Sequence, residues 1–262
     1  MAKIVFFHGL NTFGDDELHL GPLKFGPMHY YLEEAFHARD IEFLCVTGIG
    51  AGRPEVLAAR ALSFLNEAGY FAASLPSQKN KIHLLGHSMG GLVARALASR
   101  EEVHDQIASV ITVGTPHRGT SAANFGIDLK TKNPVLYRAL KLTGYDTTER
   151  SEIFAHFTAD ALKDFDSRFP LPKGVRPISL VCEAKGRDLS VPFQLARVMG
   201  SAPPGDGLIP TASQRFGEEL GSFALDHISE LGYFFHVRPS ARRFAAIEFK
   251  RMIDLVSDFV SN

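Results

Sequence analysis

The sequence predicts an α/β fold, a mostly parallel central sheet with helices on both faces, built as one domain over residues 1–262. Two observations predict it. Short apolar runs alternate with stretches of helical spacing along the chain, the pattern of strand–helix–strand units. The groups equipped for chemistry, in the His8-Gly9-Leu10 turn, at Ser88 and in the Gly114-Thr115-Pro116-His117 turn, each follow an apolar run. They therefore belong at the carboxyl ends of the strands, where such sheets carry their sites.

Lys3 to His8, Ile41 to Thr47, Lys81 to Leu85, Ile107 to Val113 and Arg176 to Cys182 read as core strands. Met28 to Arg39, Pro54 to Ala68 and Gly91 to Arg100 carry helical spacing, and the fixed φ of Pro54 suits a first helical turn. A last helical pattern runs from Ala241 to Val260. Between His117 and Pro172 the alternation breaks for about fifty residues, too many for an ordinary loop, so residues 117–172 read as a helical insertion. Asn133-Pro134 supplies a cap and first turn, Val135, Leu136, Ala139 and Leu140 make an apolar stripe, and Gly144 offers a stop. This stripe is expected to form a lid, with Leu136 and Leu140 against substrate. The stripes of Ile153, Phe154 and Phe157 and of Leu162, Phe165 and Phe169 are expected to pack on the main domain.

Hydrophobic residues make up 45% of the chain, enough for a well-filled core. A net charge of -1 leaves no global field to attract nucleic acid or an anionic membrane. Cys45 and Cys182 lie in apolar runs and read as buried thiols rather than as a disulfide or a metal pair. The first residues already read as a core strand, with no room for a signal peptide, so a cytoplasmic protein is expected. No run approaches the ~20 apolar residues of a membrane span.

Gly86-His87-Ser88-Met89-Gly90 is the most informative stretch, because a strand pattern precedes it and a helix pattern follows. Strand, G-x-S-x-G and helix together make a nucleophile elbow, in which the serine projects from a tight turn and the glycines leave room for neighbouring backbone. A serine hydroxyl needs an adjacent base, and the base needs a carboxylate to fix its tautomer. In this type of fold the order is Ser, acid, His. Among eleven histidines, His227 and His236 follow the plausible acids. His227 leads, because His236 abuts the last helix and can be a capping or packed residue. Asp206, in the stiff loop Pro203-Pro204-Gly205-Asp206-Gly207-Leu208-Ile209-Pro210, leads over Asp188, and Asp226 is too close in sequence to turn back on the base. The amides of Met89 and Leu10 are the expected oxyanion donors. His8 and His87 read as structural.

With these residues in place, the chain resembles the bacterial true lipases of the Pseudomonas and Proteus type, in the α/β-hydrolase superfamily. The resemblance rests on Phe7-His8-Gly9-Leu10, Leu85 to Gly91, Val113 to Thr120, Gly205 to Pro210 and Asp226-His227-Ile228-Ser229-Glu230. It implies a Ser88, Asp206 and His227 triad, oxyanion amides at Leu10 and Met89, and ester hydrolysis through an acyl-serine intermediate. Triacylglycerols or medium-chain esters are the implied substrates. Thioester, phospholipid or acyl-transfer chemistry on the same residues is the alternative, and a non-catalytic ligand receptor is the rival from another class. The family often binds a structural calcium with a carboxylate two residues after the catalytic histidine. Ser229 stands there, so no cofactor or metal is expected.

Overall fold

The computed structural model describes residues 1–9, 17–20, 23–50, 52–71, 81–120, 155–191, 193–194 and 204–262. Its central sheet is parallel throughout. Strands β1 (Lys3–Phe7), β4 (Glu42–Cys45), β5 (Ile82–His87), β6 (Ile107–Val113), β7 (Arg176–Cys182) and β8 (Glu218–Phe223) take the order β4-β1-β5-β6-β7-β8. A separate antiparallel pair, β2 (Glu17–Leu20) and β3 (Leu23–Pro27), precedes the first helix. The helices are α1 (Tyr30–His37), α2 (Pro54–Glu67), α3 (Met89–Ala98), α4 (Ala159–Arg168), the short α5 (Thr211–Gln214) and α6 (Pro239–Ser261).

The period-two alternation of β1 shows how the layers form. Ile4 and Phe6 enter the apolar cluster of α1 and α6, while Val5 and Phe7 enter that of α2, α3 and α4. Both faces of the sheet are covered, which is why its strands read as continuous apolar runs. Phe157, Leu162 and Phe165 are buried in the second cluster, so the start of α4 packs on the main domain. Arg95 of α3 fixes α4 further. Its guanidinium donates to Asp166 at 2.7 Å and stacks over Phe216 at 4.3 Å.

Two elements escaped the sequence reading. Strand β8 spells Glu-Glu-Leu-Gly-Ser-Phe, largely polar, because it is an edge strand with most of its side chains near water. The β2–β3 pair is too short to set up a pattern. Helix α3 begins at Met89 rather than at Gly91, directly after Ser88. Cys182 is buried as expected, but Cys45 ends the outer strand β4 and is only half-buried. Leu10, Leu136 and Leu140, with most of the 117–172 insertion, lie outside the described residues.

Helix α3 is pressed against the sheet at its glycines. A Cβ on Gly90 would strike the Phe7 carbonyl oxygen, one on Gly86 the backbone of Gly91, and one on Gly91 the Thr115 side chain. Backbone cannot yield as a flexible side chain can. Gly90→Ala is therefore expected to destabilise the protein by about 1–3 kcal/mol in denaturant titration, although alanine is the better helix former by about 1 kcal/mol. Unchanged or raised stability would refute this packing.

Candidate active site

Ser88 lies between β5 and α3 with φ 56° and ψ -129°, a conformation strained for any residue with a side chain. Its amide donates to the Val113 carbonyl at 3.0 Å, which fastens the turn to β6. The loop after β1 passes over it so closely that a Cβ on Gly9 would come within 2.9 Å of Ser88 Cβ and 3.4 Å of Oγ. Met89 opens α3, where its own amide has no carbonyl one helical turn earlier to bond. That free donor and the positive end of the helix favour negative charge beside Ser88.

Asp206 and His227, twenty-one residues apart in sequence, meet directly: His227 Nδ1 donates to Asp206 Oδ2 at 2.9 Å. This bond places the ring proton on Nδ1 and leaves Nε2 free to accept one. The Asp206 carboxylate is fully buried and held from its other oxygen by the amides of Leu208 at 2.8 Å and Ile209 at 2.6 Å. The same loop accepts the His227 amide on the Asp206 carbonyl at 2.9 Å. Asp206 and His227 are thus tied through both backbone and side chain.

Two of the competing residues, His236 and Asp226, have other partners. His236 donates from Nε2 to the Asp188 carbonyl at 2.9 Å. Asp226 accepts the amides of Ser190, Ile228 and Ser229, so it builds the turn that carries His227. The Asp226 carboxylate is thereby committed to backbone donors, and Ser229 Oγ donates to the Tyr233 carbonyl at 3.4 Å.

His87 and Glu230 complete a buried cluster. The His87 ring packs on that of His227 with centroids 4.5 Å apart, and its Nε2 donates to the His227 carbonyl at 3.0 Å. Burial, together with the neighbouring His227, holds His87 neutral with its pKa well below the usual histidine range. Glu230 was not singled out from the sequence as a site residue. It lies 3.5 Å from His227 Nδ1 and 3.1 Å from His87 Nε2, and its only sequence signal is its place three positions after the base. Burial and the Asp206 charge raise its pKa well above the carboxylate range. Room for it comes from Gly114, at φ 57°, where a Cβ would overlap Glu230 Oε2 and come within 2.9 Å of His227 Nδ1. His87, His227 and Glu230 are close enough to be a metal-ligand set, but His227 Nδ1 already serves Asp206 and His87 Nε2 a carbonyl.

This architecture has well-matched relatives. The lipase of Staphylococcus hyicus superimposes with a TM-score of 0.66 over 99% of this chain and 95% of its own, at 15% identity. The fold is that of the α/β-hydrolases. A family model described as a PGAP1-like alpha/beta domain matches residues 59–150 of this α/β-hydrolase-fold chain. Triacylglycerol lipase 2 of Saccharomyces cerevisiae is 26% identical over 161 residues, 60% of this chain and 47% of that protein. GPI inositol-deacylase of Candida albicans is 32% identical over 123 residues, 43% of this chain and 30% of that one. The chain thus matches about half of the yeast lipase's length and less of the deacylase's. The likeness to lipases is not specific to those of the Pseudomonas and Proteus type.

Two outcomes test the site's physics. Ser88→Gly is expected to be more stable than Ser88→Ala by about 1 kcal/mol in denaturant titration, because only glycine relieves the positive φ. Equal stability would show that the turn is unstrained. For Glu230 the folded pKa lies above the unfolded one, so its contribution is complete below about pH 4.5 and is lost as pH rises towards the folded value. Glu230→Gln is therefore expected to gain on the parent protein as pH rises above 4.5, by at most about 1.4 kcal/mol per pH unit. A stability difference independent of pH from 4 to 8 would mean that Glu230 is ionised.

Proposed function

We propose that the protein is a serine carboxylester hydrolase acting on acyl lipids, with Ser88 as nucleophile, His227 as general base and Asp206 as the acid that orients it. The bond from His227 Nδ1 to the buried Asp206, in a chain that also holds Ser88 on a strained strand-to-helix turn, is the observation that carries this reading. The lipase and deacylase names among the relatives support a lipid ester as substrate. Closer kinship with the Pseudomonas and Proteus lipases rests on the motif blocks alone.

In this mechanism Ser88 Oγ attacks the ester carbonyl carbon as His227 Nε2 takes its proton. The imidazolium so formed is stabilised by Asp206, whose second oxygen stays anchored by two amides. The carbonyl oxygen becomes an oxyanion and receives the Met89 amide, with the Leu10 amide proposed as the second donor. His227 then gives its proton to the departing alcohol oxygen, leaving acyl-Ser88. Water, deprotonated by His227, attacks the acyl carbon, and the proton returns to Ser88 as the carboxylic acid leaves. Every step uses side chains and backbone of this chain, and no metal or cofactor is assigned one. The stripe containing Leu136 and Leu140 is proposed to cover the acyl chain.

Ser88→Ala and His227→Ala are each expected to lower kcat on a soluble short-chain ester by about 10⁴-fold or more, and Asp206→Ala by somewhat less, because the three act as a unit. A serine-reactive phosphonate should label the parent protein and leave Ser88→Ala unlabelled. Labelling of Ser88→Ala, or an active His227→Ala protein, would remove these residues from the mechanism.

A further inference from the structure

Among the described residues, five of the nine exposed large apolar side chains lie on one face. Phe25, Tyr30, Tyr31, Val191 and Val237 are each 37–73% exposed. Ring contacts join them: Phe25 meets Phe235 with centroids 4.6 Å apart, Tyr31 meets Tyr233 at 4.9 Å, and Tyr30 meets Tyr31 at 5.1 Å. The Val191 amide bonds the Phe235 carbonyl at 2.9 Å, which brings that side chain to the same place. A cavity of about 1150 Å³ opens between them, with Phe249 in its wall and Arg242 and Glu34 among its polar lining.

Beside this depression the first turns of α6 carry Arg238, Arg242 and Arg243, all exposed, and none has a carboxylate partner among the described residues. The first turn of α6 contains no acid. Three cations at the positive end of a 23-residue helix repel both one another and the helix dipole, so folding alone does not favour them there. Phe244 and Ile247, 44% and 58% exposed, follow on the outer side of the same helix.

The polarity of the fold places this face. Phe259, near the end of α6, lies against His83 and Arg176 at the amino ends of β5 and β7, with Arg176 4.6 Å from its ring. Helix α6 therefore runs antiparallel to the strands. Its arginine-rich start lies at their carboxyl edge, the edge that carries Ser88, Asp206 and His227.

We infer that this face docks the protein on an anionic phospholipid surface. Tyrosines and phenylalanines enter the headgroup boundary, and the three arginines answer the lipid charge. The apolar depression then rests on the bilayer, and the carboxyl edge of the sheet is turned towards it. Charge complementarity selects a lipid surface over a neutral partner or a second copy of the chain.

The test uses the full chain carrying Ser88→Ala, so that binding is measured without turnover and separately from the proposed hydrolysis. In co-sedimentation, phosphatidylcholine vesicles with about one third phosphatidylglycerol should capture it at least about tenfold more strongly than phosphatidylcholine alone, and about 0.5 M salt should weaken capture. Adding Arg238→Glu, Arg242→Glu and Arg243→Glu should lower affinity for the anionic vesicles on the order of 100-fold without lowering Tm. A second variant, Tyr31→Ser with Val237→Ser, should weaken capture by removing the inserted side chains. Equal capture on both vesicle types, or full capture of the arginine variant, would overturn the inference. So would a dimer in sedimentation velocity that the Tyr31 and Val237 changes dissolve, because the face would then belong to a second copy.

Discussion

The site depends on one steric constraint, the approach of α3 to the backbone of β1 and β5. Helix and strands meet where Gly86, Gly90 and Gly91 lack side chains, and Phe7, His8 and Thr115 fill the space that Cβ atoms would need. A helix entering so close to the end of β5 leaves no length for a relaxed loop. Ser88 must make the whole turn, and positive φ is the result. Strain at this residue is therefore a consequence of packing around it, and its cost is spread over a buried helix whose ten residues are all buried.

A second glycine constraint organises the polar side of the site. Gly114, at the end of β6, leaves the volume in which Glu230 and His227 face one another. Three acids, Asp206, Asp226 and Glu230, are fully buried within this region, and each meets the expense of desolvation differently. Asp206 has two amides and the imidazole, and Asp226 has three amides. For Glu230, burial and the Asp206 charge raise the pKa well above the carboxylate range. In the proposed mechanism a neutral Glu230 leaves Asp206 as the carboxylate whose charge answers a proton arriving on His227. A charged Glu230 would bring a second carboxylate to the same nitrogen and blur which of the two orients the ring.

Much of this was legible in the sequence, and the exceptions share a cause. The core strands announced themselves because both of their faces are buried, and the elbow because its glycines and serine stand at fixed spacing. The Asp206–His227 pair could be proposed from chain order and loop stiffness, since three prolines and two glycines leave that loop few conformations. Strand β8 escaped because an edge strand is recognised by its neighbours rather than by its own polar residues. Glu230 escaped because an acid on a short turn looks solvated until the fold closes over it. Net charge concealed the arginines of α6, since a sum near zero says nothing of where the charges lie.

The same parallel topology links these features. In a sheet whose strands all point one way, every strand delivers its last residue to one edge, and each antiparallel helix begins at that edge with its positive pole. Ser88 gains a free amide at the start of α3 by this rule, and the start of α6 gains a field to which its own arginines add. One edge therefore suits both a developing oxyanion and an anionic surface. Reversing the placement of charge on α6, with arginines in the last turn and acids in the first, would favour the isolated helix and abolish this coincidence. The chain has the arrangement less favourable to the helix alone, which is the physical reason to assign the face a partner of negative charge.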